Sequence, residues 1–240
     1  VVVAAHVRAS YRQSQPFFLR MVAGMALFIV LGFGQFAARG LVDYARVPIW
    51  VHLHGIAMVA WLALLVTQTA LAGRPNLQLH RQLGWFGAVL ATAVVALGLR
   101  VVVAAIGVDL VPPFFTPAFL LALATVDALA FGSLVAAAIV LRRRSDWHSR
   151  LLVGSTAILM EPALGRVLPM PLLGGDGGEW LAMAFQLIPI VLLLRHDRKA
   201  LGTVHPASLL CGGAVVASHV LVKLASLNPA VLSLATSLGG

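Results

Sequence analysis

Charge is what this sequence has least of. Of its 240 residues only 10% are Asp, Glu, Lys or Arg, whereas an ordinary soluble domain carries about a quarter. Acids are scarcest, 8 against 17 Lys and Arg. A chain so poor in solvating groups cannot cover a water-exposed surface, and with 60% hydrophobic residues and a mean hydropathy of +0.97 it belongs in a bilayer. The lone cysteine, Cys211, excludes an internal disulfide, and its apolar surroundings argue against a thiolate metal cluster. No polar stretch is long enough for a separate soluble domain. The net charge of +9 does not point to nucleic acid, because its cations are scattered between apolar runs instead of gathered on one face.

What is there is a series of apolar runs. A span needs roughly 20 apolar residues, and the chain offers seven, near 18–38, 49–72, 84–107, 116–141, 151–170, 180–195 and 207–226. The expected fold is therefore all-α, a polytopic bundle of seven transmembrane helices over 17–227, between an N-terminal segment 1–16 and a C-terminal tail 228–240. The first run is kept as a span, not a cleaved leader. The chain opens on Val1, which leaves the completeness of its N-terminus open. The sixth run is the shortest and holds Pro189, and the GGDGG before it (Gly174 to Gly178) reads as a flexible outer turn.

Lys and Arg collect in cytoplasmic connections. One side receives Arg8, Arg12, Arg20, Arg74, Arg81, Arg142, Arg143, Arg144, Arg150, Arg195, Arg198 and Lys199, and the other only Arg39, Arg46, Arg100, Arg166 and Lys223. That asymmetry places the N-terminus in the cytoplasm and the C-terminus outside. Trp50 and Trp180 then fall at outer ends and Trp85 and Trp147 at inner ends, as interfacial aromatics should, with Trp61 alone in mid-span.

The inner ends of the third and fifth runs echo each other: LQLHRQLGWFGAVL (Leu77 to Leu90) and SDWHSRLLVGSTAIL (Ser145 to Leu159) each put a histidine and an arginine just before an apolar helix. Arginines so placed reach anionic headgroups. His80 and His148 at matched depth also form a candidate ligand pair, with Gly84, Gly87 and Ala91 making a smooth stripe beside His80. The segments Val51 to Gly87 and Arg142 to Arg166 resemble a family of uncharacterised bacterial multi-span membrane proteins. More remotely, the histidine-plus-arginine helix starts resemble cytochrome b families with bis-histidine haem. That resemblance implies haem b held by His80 and His148 with Arg81 and Arg150 alongside, and one haem at most, because the fourth run has no histidine.

Ionisable groups inside spans are costly enough to mark function. Arg100 and Arg166 fall in the outer third, and Asp127 and Glu161 near the middle. Two acids and two bases suggest a neutral cluster paired across helices. His54, Gln186 and His219 join it from the outer half, His54 being favoured over His52 because it shares a face with Met58, Trp61, Leu65 and Gln68. Glu161 precedes Pro162, whose missing N–H frees the carbonyl of Ile158 and invites a kink. Three readings stay open: structural glue; a zinc site of His54, His219 and Asp127 or Glu161 able to activate water against a lipid; and a proton or substrate path of a transporter. The layout resembles the adiponectin-receptor and ceramidase-like hydrolases, but lacks their last-span histidine motif.

The expected setting is a bacterial cytoplasmic membrane crossed several times. Lipid and anionic headgroups are the partners, nucleic acid is not, and homo-oligomers or a larger membrane complex stay open.

Overall fold

A computed structural model describes residues 2–43, 45–113 and 115–239, with side chains from residue 14 onward apart from 174–176; the side chains of Arg8 and Arg12 thus lie outside the described residues. Every regular element among the described residues is helical: α1 (Val2–Ala38), α2 (Ile49–Ala72), α3 (Gln78–Gly107), α4 (Pro117–Val140), α5 (Ser145–Ile158), α6 (Glu161–Val167), α7 (Met170–Leu201), α8 (Pro206–Ser226) and α9 (Pro229–Gly239). Among them six are long and apolar enough to cross a membrane, within α1, α2, α3, α4, α7 and α8. This is a multi-pass membrane protein.

The fifth apolar run is not one helix. α5 ends at Ile158 and α6 begins at Glu161 with Pro162 in its first turn, because proline cannot supply the N–H that would continue the ladder. The freed carbonyls are not left bare: the Gln186 side-chain amide donates to the oxygens of Ala157 at 3.1 Å and Ile158 at 3.2 Å. The kink invited by Pro162 is thus a break, filled from a neighbouring helix.

Two further boundaries differ from expectation. The sixth run is not short: α7 reaches from Met170 to Leu201, taking in GGDGG at one end and Arg195 to Lys199 at the other. It stops where Gly202 adopts a left-handed φ of 75° and donates to the Arg198 carbonyl. Residues 229–239 fold as α9, which packs on α3 and α4 through Val102, Ile106, Ala118, Leu121 and Ala235.

The centre of the bundle is α5, packed against α1, α4, α7 and α8. From Arg150 to Ile158 every residue but Leu152 is buried. Its approach to α8 depends on Gly154, where a Cβ would lie 2.7 Å from the Cys211 Cβ and still nearer its sulfur. Starts of helices are set locally: Thr116 Oγ1 accepts from Phe119 N at 3.1 Å with Pro117 following, and His205 Nδ1 accepts from Ala207 N at 3.1 Å with Pro206 following.

Contacts sort the helix ends into two levels. At one level the end of α2 meets the start of α3 through Gln68 and His80, and the starts of α5 and α8 meet the end of α7. At the other, Trp50 of α2 lies 5.0 Å from the Arg100 guanidinium of α3, Gln35 of α1 reaches the Arg166 carbonyl of α6, and α9 closes on α3.

Candidate functional site

Four helices send polar groups into one buried region beside the α5–α6 break. Gln186 is 1% exposed and His219 of α8 is 3% exposed, and their side chains meet at 2.6 Å. The orientation of this contact follows from its surroundings. Gln186 Nε2 is committed to two carbonyls, so its Oε1 faces His219 and can only accept; His219 must carry its proton on Nε2. Nδ1 is a lone pair in the neutral ring and a second N–H in the imidazolium. It faces Glu179 Oε1 of α7 at 3.8 Å, too far for a hydrogen bond, and neither atom has another partner.

Two more carboxyls belong to this region. Glu161, 4% exposed, stands in the first turn of α6, and Asp127 of α4 holds a buried, unpartnered Oδ2. Each is within electrostatic reach of Glu179, and Glu161 also feels Asp127, His219 and Arg166.

The sequence-named residues distribute as follows. Asp127, Glu161, Gln186 and His219 come together. His54 packs its ring on Gly98 of α3, where an added Cβ would be 3.3 Å from its Cε1, and its buried Nδ1 has no hydrogen-bond partner. Arg100 is exposed and lies over Trp50. Arg166 lies 4.1 Å from the Phe33 ring centre and donates to the Pro162 carbonyl at 2.7 Å. Arg100 therefore meets an aromatic face of α2 in place of a carboxylate. Among the described residues no three His, Cys, Asp or Glu side chains are gathered so as to hold a metal ion. The zinc ligand set has no assembled counterpart.

At the other level the echoing histidines behave alike. His80 Nδ1–H donates to the Gln68 carbonyl at 3.2 Å and His148 Nδ1–H to the Ala138 carbonyl at 2.8 Å, since a carbonyl only accepts. Each is left with Nε2 as its lone pair, and His148 lies within electrostatic reach of His80. The glycine stripe beside His80 is already used: a Cβ at Gly84 would be 3.6 Å from Gln68 Nε2 and one at Gly87 3.4 Å from Leu64 Cδ2, both on α2. Arg81 stays exposed.

Arg150 has a different partner from the one expected. Its guanidinium, 4% exposed, forms an ion pair with Asp197 of α7, which is fully buried. Nε donates to Oδ1 at 3.0 Å, Nη2 donates to the same oxygen, and Nη1 donates to the Asp146 carbonyl at 2.8 Å. Asp197 Oδ2 accepts from Ser208 Oγ at 2.5 Å and from the His205 backbone N–H at 3.2 Å. His205 Nε2–H in turn donates to Asp146 Oδ2 at 3.0 Å. His205 and His196 are thus part of the packing, His196 stacking on Phe17 at 3.8 Å.

Glu179 and Asp197 were overlooked in the sequence because one follows a glycine cluster and the other sits among basic residues. A signal for both exists. Glu179, Ala182, Gln186, Ile190, Leu193 and Asp197 recur at spacings of three and four, and all six are buried. One helical stripe joins the Glu179 acid cluster to the Asp197 ion pair. Comparison with known proteins adds no likeness to this arrangement: no family model, no curated protein and no solved structure matches the chain.

Proposed function

We propose that this protein is a membrane transporter whose working site is the buried cluster of Asp127, Glu161, Glu179 and His219, and that the cluster takes up and releases protons. One observation carries the reading: three carboxyls from α4, α6 and α7 lie within electrostatic reach of one another beside a helix break, and two of them, Asp127 and Glu179, hold a buried oxygen with no hydrogen-bond partner. Three ionised carboxylates in a low-dielectric bundle repel one another, and within reach of Glu161 only His219, when protonated, and Arg166 offset them. Protons or a bound cation must supply the rest. Broken helices whose ends meet ionisable groups at mid-depth are how many transporters build such sites.

In this reading α5 and α6 together are the seventh crossing, the N-terminus is cytoplasmic and the C-terminus outside. Supporting it, α5 starts at the level of the α7 end while α6 ends beside Gln35 at the end of α1. At about 1.5 Å per residue, Ser145 to Val167 covers the ~30 Å of a hydrocarbon core. The test is proton flux into liposomes holding the purified chain and a pH-sensitive dye. Asp127→Asn and Glu161→Gln should each slow it roughly tenfold or more, the low side of losing a proton-transfer group. Flux equal to wild type in both variants overturns the reading.

A second reading is favoured by the matched histidines. With Nδ1–H of both His80 and His148 held by carbonyls, both rings are preset as Nε2 ligands. The two rings would be the ligands of one haem iron, with exposed Arg81 available to a haem carboxylate; a haem there would supply one-electron transfer. Purified protein expressed with ample haem should then show a Soret band that disappears in His80→Ala and in His148→Ala. A spectrum without that band excludes this reading and leaves the proton site untouched.

A further inference from the structure

Far from the buried cluster, the turn from α2 to α3 carries positive charge that nothing neutralises. Arg74 and Arg81 are exposed there, and neither guanidinium has a carboxylate partner among the described residues. No acid is near them along the chain, since none stands between Asp43 and Asp109. Two carboxylates that contacts place at this level are committed elsewhere, Asp146 to His205 and Asp197 to Arg150. Arg81 lines an open hollow of about 770 Å³ together with Pro75, Asn76, Leu77, Gln78 and Gln82. The side-chain amides of Asn76, Gln78 and Gln82 add N–H donors to its guanidinium, and the Asn76 oxygen is already taken by the Gln78 backbone N–H at 2.9 Å. The turn is held in shape from behind: Gln68 Nε2 donates to the His80 carbonyl at 3.0 Å, and His80 Nδ1–H donates to the Gln68 carbonyl at 3.2 Å.

We propose that this hollow and the helix face beside it bind one anionic phospholipid. Donors and positive charge without a carboxylate select an anion. What adjoins the hollow selects which anion. From Gln82 the same side of α3 continues through Trp85, Phe86 and Val89, at spacings of three and four, and these three are exposed by 69%, 56% and 68%. The opposite side is the one that packs on α2, at Gly84 and Gly87. Trp85 stands one turn beyond Arg81, where an amphipathic ring suits the boundary between headgroups and acyl chains. A soluble phosphate would use the donors and leave the apolar stripe bare. A phospholipid uses both, with its phosphate against Arg81 and an acyl chain along Trp85, Phe86 and Val89.

The experiment is native mass spectrometry of the haem-free full chain in a non-ionic detergent. It is titrated with phosphatidylglycerol or phosphatidylcholine of matched acyl chains, and the phosphatidylglycerol series is repeated with inorganic phosphate as competitor. The first phosphatidylglycerol should bind at least about fivefold more tightly than phosphatidylcholine, the effect of one arginine at an anionic surface. Arg81→Gln should remove that preference, whereas Arg143→Gln, which takes away an exposed arginine outside the hollow, should keep it. Trp85→Ser should weaken both lipids alike, and thermal unfolding checks that each variant folds. Equal binding of the two lipids, or an unchanged preference in Arg81→Gln, overturns the proposal. So does an equal loss in Arg143→Gln, because the attraction then belongs to this end of the bundle as a whole. Displacement of the lipid by an equal concentration of inorganic phosphate would assign the hollow to a soluble anion and overturn it as well.

Discussion

Asp197→Ala is expected to destabilise the folded bundle by about 3–5 kcal/mol, the cost of leaving a buried charge without its partner. The reasoning starts from Arg150, whose guanidinium is 4% exposed and donates twice to Asp197. Removing the carboxylate strands that charge and also orphans the Ser208 hydroxyl and the His205 backbone N–H, which donate to the other oxygen. Since these donors sit on α5 and at the start of α8 while Asp197 is on α7, three helices lose their common tie at once. Asp197→Asn keeps the shape and an acceptor, and should cost less. The double variant Arg150→Met with Asp197→Leu removes both charges and should recover a good part of the loss. Denaturant titration in a fixed detergent measures all three. A single Asp197→Ala variant as stable as wild type would show that the pair carries no net weight.

The second large effect concerns a missing side chain. Gly154→Ala puts a methyl into the path of Cys211, with a Cβ-to-Cβ separation of 2.7 Å and the sulfur nearer still. Real Cβ atoms do not approach so closely, so α5 and α8 must part, at about 1–3 kcal/mol or more for an overpacked contact. The geometry makes the rescue specific. Cys211→Ala clears the sulfur but leaves its Cβ in the way, whereas Cys211→Gly clears both. Gly154→Ala should be relieved by Cys211→Gly and only slightly by Cys211→Ala, read as thermal midpoints of the four proteins. Equal rescue by both would mean that backbone adjustment, not the Cβ, absorbs the strain. Small residues at membrane helix contacts are commonly there for this reason.

Membrane class and most helix positions were legible in the sequence because a span leaves a long apolar run, and six of the seven runs correspond to helices of spanning length. Pro162 announced the interruption of the seventh, and the carbonyl it was expected to free is one of the two that Gln186 now holds. The α7 boundaries were misread for a physical reason. GGDGG and Arg195 to Lys199 look like loops by composition, yet α7 runs through both, with Asp197 neutralised by Arg150. A charge that is paired in three dimensions looks unpaired along the chain. The site was half legible for the same cause: Asp127, Glu161, Gln186 and His219 lie within apolar runs and attract notice, whereas Glu179 hides behind the glycines. Arg100 and Arg166 showed the converse, since aromatic faces occupy both guanidiniums and no sequence spacing reveals that.

The break beside Gln186 separates two helices with different fastenings. α5 is fastened to α7 and α8 by the buried ion pair, while α6 leans on α1, through Gln35 at the Arg166 carbonyl and Gly32 against Ala163. The joint between them keeps backbone bonds from the Leu159 and Met160 N–H groups and adds two from the Gln186 amide. A tilt of α6 with α1 would therefore move the Glu161 carboxyl relative to Glu179 and His219 while the Arg150–Asp197 pair stays shut. The carboxyl stands at the pivot, where a small angular displacement changes which of its neighbours it meets.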